Sequence, residues 1–74
     1  MNKERRMKIS KIIQEIDNIK SRLQNILNEE ESVFENMPEN LQGSMRGEES
    51  EEAIDYMDEA IESLGNAIDQ LEEI

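Results

Sequence analysis

Apolar residues in the first half of the chain recur every seven positions. Ile9, Ile16 and Leu23 fall on one column, with Met37 two heptads further on; Ile12, Ile19, Ile26 and Val33 fall on a second, three residues later; Ile13, Leu27 and Phe34 form a third beside it. Three apolar columns flanked by polar positions predict an amphipathic helix over residues 3–36. Glu30 interrupts the first column. Two readings of it stand open: an acid near the helix end where the seam meets water, or a polar residue that sets register.

The second half holds an internal repeat. Ala53-Ile54-Asp55-Tyr56-Met57 is followed by Ala60-Ile61-Glu62-Ser63-Leu64 and then Ala67-Ile68-Asp69-Gln70-Leu71, each starting seven residues after the last. A strict seven-residue period is the pattern of a coiled-coil seam. Ile54, Ile61 and Ile68 make one core column, and Met57, Leu64 and Leu71 the other. Ala53, Ala60 and Ala67 flank them, and small residues let a neighbouring helix approach closely. A second helix is predicted over residues 48–74.

The segment between, residues 37–47, reads as a loop. Pro38 lacks an amide hydrogen and biases Met37 away from helical geometry, so the first helix should stop near residue 36. Pro38 can also open a single short turn through Leu41. Gly43 and Gly47 are further breakers. Either Ser44 or Ser50 caps the second helix. A cap at Ser44 would place Gly47 inside the helix, at a cost of about 1 kcal/mol.

Together these elements predict an all-α chain: one domain, 1–74, folded as an antiparallel two-helix hairpin. Each helix carries three apolar columns, whereas a two-stranded seam uses two. A second copy should therefore bury the remainder, giving a homodimeric four-helix bundle. Ile12, Ile16, Ile19, Ile54, Ile61, Leu64 and Ile68 are the candidate self-association residues. With no Cys among 74 residues, an oligomer is the remaining way to reinforce so small a core.

Charge sharpens the picture. Residues 1–22 hold seven basic and three acidic side chains, a net of +4; residues 23–47 hold one and five, −4; residues 48–74 hold eleven acids and no base, −11. Taken alone, Lys3, Arg5, Arg6 and Lys8 sit at the wrong end of the first helix dipole, and Asp69, Glu72 and Glu73 at the wrong end of the second. An antiparallel hairpin sets the two ends side by side, so ion pairs between them are expected. The acidic third repels nucleic acid and attracts a basic protein surface. No apolar run is long enough to span a membrane, and Lys11, Glu15 and Asp17 interrupt any signal-peptide core. The cytoplasm is the expected location.

Little catalytic chemistry is available. The chain has no His and no Cys, which removes the usual zinc ligands and the commonest general base. No phosphate loop or calcium loop is present, and the serines lack an activating histidine. The chain reads as non-enzymatic, with no catalytic residue, cofactor or metal. The basic amino-terminal segment lacks interleaved aromatics, so direct nucleic-acid binding is not expected. The acidic side of the second helix is the candidate partner-binding surface, with Asp55, Asp58, Glu59, Glu62 and Asp69 at its centre. Acids three and four apart lie about 5–6 Å from one another at Cβ, comparable with the phosphate step of a nucleic acid strand. Such an array either imitates a DNA backbone or is an ordinary hydrated helix face. The alternative contact is the loop, through Leu41, Met45 and Arg46.

Three stretches carry a resemblance: Met1-Asn2-Lys3-Glu4-Arg5-Arg6, Asn36-Met37-Pro38-Glu39-Asn40-Leu41-Gln42-Gly43-Ser44, and the tail from Glu52 to Ile74. In them the chain resembles a group of small acidic helical proteins encoded by phages and prophages of bacteria. It departs from that group at Met45, where the group has an acidic residue. The resemblance implies a phage origin and an accessory role, such as countering host defence or modulating a host nucleic-acid enzyme. It assigns no activity to particular residues. The function expected is binding and modulation of a host protein through the acidic face; the alternative is a dimerising adaptor that orders another phage protein.

Overall fold

A computed structural model describes all 74 residues. The chain is helical throughout: α1 spans Lys3–Glu35, α2 spans Glu39–Gln42 and α3 spans Met45–Glu72. The long helices, α1 and α3, pack antiparallel as a rod measuring 58 × 15 × 12 Å. α1 begins where Asn2, in extended backbone, accepts the Arg5 amide at 2.8 Å on its side-chain oxygen.

The turn is more ordered than a loop. Pro38 opens α2, and its carbonyl accepts the Leu41 and Gln42 amides at 2.8 and 3.1 Å. The Gln42 side-chain amide then donates to the carbonyls of Phe34 and Met37, each at 3.2 Å. Carbonyls at a helix carboxyl end have no partner within the helix, and Gln42 supplies one.

Of the two candidate caps, Ser44 is the one used. Its hydroxyl accepts the Gly47 amide at 3.4 Å and donates to the Leu41 carbonyl. α3 therefore starts at Met45, the earlier of the two starts the caps allow, and takes Gly47 into its first turn. Gly47 is buried, and a Cβ there would lie 2.5 Å from the Leu41 carbonyl oxygen and closer still to that of Gln42. Glycine is needed for this close approach, not for an unusual backbone, since no residue has positive φ. The close approach of α2 accounts for a glycine here despite a helix-propensity cost of about 1 kcal/mol.

The seam between α1 and α3 uses two of the three columns on α1. Leu27 is 2% exposed and Ile61 and Ile68 are 8% exposed. Ile9, Ile13, Ile16, Leu23 and Phe34 of α1 are half-buried, as are Ile54, Met57, Leu64 and Leu71 of α3. Glu30 also faces this seam. Its carboxylate accepts the Ser50 hydroxyl at 2.6 Å, and Ser50 is 5% exposed. The heptad repeat of α3 makes a slip by seven residues the nearest competing register. Such a slip would set Met57 against Glu30 and leave a half-buried carboxylate unpaired, which costs more than a lost apolar contact. Of the two readings of Glu30, the register-setting one fits this geometry.

The two interior glycines of α3 should respond oppositely to alanine. At Gly65 a Cβ meets only the flexible end of Lys20, at 3.5 Å. Gly65→Ala is expected to stabilise the chain by about 0.5–1 kcal/mol, through helix propensity and a less flexible unfolded state. Gly47→Ala forces α2 away from α3 and should lower the melting temperature. Thermal unfolding followed by circular dichroism checks both; a gain at Gly47 would show that the close approach is not needed.

Candidate interaction site

Three exposed surfaces arise from this packing. The first is apolar. Ile12, Ile19, Ile26 and Val33, the second column of α1, are 45–53% exposed and run the length of the helix. α3 covers the first and third columns, and this column stands to one side of the seam. Ile19 and Ile26, with Arg22 and Leu23, line a shallow hollow midway along it.

The candidate self-association set therefore divides. Ile61 and Ile68 are buried within the chain, and Ile16, Ile54 and Leu64 are half-buried there. Ile12 and Ile19 remain free. Ile26 and Val33 belong with them, although the sequence reading did not single them out; membership of the same column was the available signal.

The second surface is acidic. Asp55, Asp58, Glu59 and Glu62 are exposed and line one open hollow with the edge of Ile61. Asp69 is exposed one heptad beyond Glu62. No basic side chain lies within 4 Å of any of these acids. No three carboxylates converge where a metal ion could be held.

The third surface is the turn. Leu41 and Arg46 line a hollow with Val33, Asn36, Met37 and Pro38, so the apolar column of α1 runs into it. Met45 is 75% exposed and lies outside the hollow.

One electrostatic expectation is not met. The outer ends do lie together, with Arg6 and Glu72 lining one hollow beside Ile9, Leu71 and Ile74. Yet the only ion pair within 4 Å joins Lys8 and Glu4 inside α1, at 3.7 Å. Both of its side chains are more than two-thirds exposed. An exposed pair gains only about 0–1 kcal/mol and must order two long side chains, so little drives the ends to close one.

No helix is long and apolar enough to cross a membrane. No protein-family model, curated protein or solved structure matches the chain.

The acidic surface has a measurable cost. Asp55 with Glu59 and Asp58 with Glu62 are like-charge pairs four residues apart, each unfavourable by about 0.2–0.5 kcal/mol. Replacing Asp55 and Asp58 by Asn and Glu59 and Glu62 by Gln should raise the melting temperature at low salt, with helicity retained. The gain should shrink as salt screens the charges over about 10 Å at 0.1 M. A fall in melting temperature would mean that these acids support the fold.

Proposed function

We propose that the protein is a non-catalytic interaction module. It assembles as a homodimeric four-helix bundle and turns its acidic face outward to a basic surface on a host protein. The uncovered column Ile12, Ile19, Ile26 and Val33 carries this reading. Its residues are large, β-branched and regularly spaced, whereas a solvent-facing helix side would be polar.

The area supports the same reading. The chain exposes 5875 Å² at 8.6 kDa. A compact monomer of that mass exposes about 4,700 Å². The excess, about 1,200 Å², exceeds the roughly 800 Å² that each partner hides in an interface of ordinary size. Only five of 74 residues are buried in the single chain, so its own core is thin and a second copy would enlarge it.

The acidic face lies away from the seam and is left free by self-association. Four carboxylates crowded without a counter-ion are suited to a partner that brings the positive charge. The resemblance to phage-encoded proteins adds the setting: an accessory protein that modulates a host factor, with nucleic-acid-processing and defence enzymes the natural owners of basic channels.

Light scattering is the direct test. Wild-type protein at micromolar concentration should scatter as twice 8.6 kDa. Ile19→Glu combined with Ile26→Lys should scatter as a single chain while keeping its helical spectrum, because neither residue supports the internal seam. A wild-type mass of one chain overturns the dimer.

A further inference from the structure

We infer how the second copy sits: α3 of each chain lies on α1 of the other, with Ala60 of the partner seated in the hollow formed by Ile19, Arg22, Leu23 and Ile26. This arrangement rests on the dimer proposed above and adds its geometry.

The hollow has a specific form. Its four lining residues are spaced i, i+3, i+4 and i+7 along α1. Four residues at that spacing are the hole into which one side chain of a facing helix inserts in coiled-coil packing. Ile19 and Ile26 are large, and a small residue opposite them lets the backbones approach.

The alanine column is on the correct side to serve. On α1, the Ile12 column and the column containing Lys20 flank the Ile9 column on opposite sides. The end of Lys20 lies against Gly65 of α3, which marks one flank of the hairpin. On α3, Gly65 and Ala60 fall on opposite sides of the Ile61–Leu64 seam. Ala53, Ala60 and Ala67 therefore share the other flank with Ile12, Ile19, Ile26 and Val33. One broad face of the hairpin carries large residues along one edge and small ones along the other, so a second copy turned over matches large to small.

Register follows from the fold. Within the chain Glu30 is level with Ser50, and Lys20 with Gly65. Ala67, Ala60 and Ala53 are then level with the gaps from Ile12 to Ile19, Ile19 to Ile26 and Ile26 to Val33. A two-fold axis parallel to the helices leaves every level unchanged. The partner's alanines thus arrive opposite the gaps with no adjustment, and the shared seven-residue period aligns all three together.

Charge selects this axis over the alternative. A two-fold axis across the helices would stack α1 on α1 and α3 on α3. That would set two segments of net −11 side by side, since residues 48–74 hold eleven acids and no base. The parallel axis puts the two α3 helices at opposite corners. Each then lies between two α1 helices, whose residues 1–22 carry seven bases against three acids, a net of +4. Every adjacent pair is antiparallel, so the helix dipoles also oppose.

The chain has no cysteine, so single cysteines report geometry cleanly. Arg22→Cys and Ala60→Cys would be prepared separately, mixed, allowed to exchange chains and oxidised. The expected result is a mixed disulfide that dominates over either homodisulfide, as two cysteines must come within about 7 Å between Cα atoms. Ile26→Cys mixed with Ala60→Cys should behave likewise, which guards against one variant perturbing the hole. Circular dichroism confirms helicity, and light scattering gives the mass of each variant before oxidation. Dimers that form the Arg22→Cys homodisulfide in preference, or no mixed disulfide with either partner, overturn this arrangement and leave the dimer standing. Single chains throughout overturn both.

Discussion

Two helices in a hairpin meet along one seam, and a seam buries only the columns that face it. In this chain α1 offers three apolar columns, and α3 covers two of them. Leu27, Ile61 and Ile68 are buried in that contact, while Ile12, Ile19, Ile26 and Val33 remain about half exposed. The thin core and the excess surface follow from this mismatch between apolar columns and available partners. The same mismatch motivates the second copy, because a column of β-branched residues is stabilising only where another surface covers it.

The seam also needs a fixed register, and its heptad regularity works against that. A repeat that matches itself every seven residues permits slips. Two local devices oppose them. Glu30 and Ser50 make one polar contact across an otherwise apolar line. The turn holds the helices at the other level: Gln42 closes the end of α1, Ser44 opens α3, and Gly47 admits the carbonyls of α2. Register in the bundle we propose is inherited from these contacts. The acidic face takes no part in them, and its like-charge neighbours four residues apart are expected to oppose stability.

Periodicity made the two helices legible, because core columns repeat visibly in both halves, and the short segment between them implied antiparallel packing. Pro38 marked the break for a steric reason that needs no tertiary context. The start of α3 was not legible. Ser44 and Ser50 are both good caps by type, and the cost of Gly47 inside a helix argued for the later one. The carbonyls of Leu41 and Gln42 reverse that balance, and they arrive only once α2 has formed. Ser50 proved to serve Glu30 instead. Heptad counting showed three columns on α1 without showing which would stay open, since that depends on how α3 rotates about its axis. The acidic face of α3 was readable as a surface, because acids opposite a core column have nowhere else to point. The missing ion pairs at the outer ends were not readable, since proximity along two helices does not fix the side chains.

In the dimer we propose, the folded unit is two chains and not one. Unfolding midpoint against protein concentration tests it most directly, since a dimer that dissociates as it unfolds is favoured by mass action and a monomer is not. Across a hundredfold range of concentration, the midpoint in urea should rise steadily for this protein. A midpoint that stays constant over that range would show that a single chain is the folded unit.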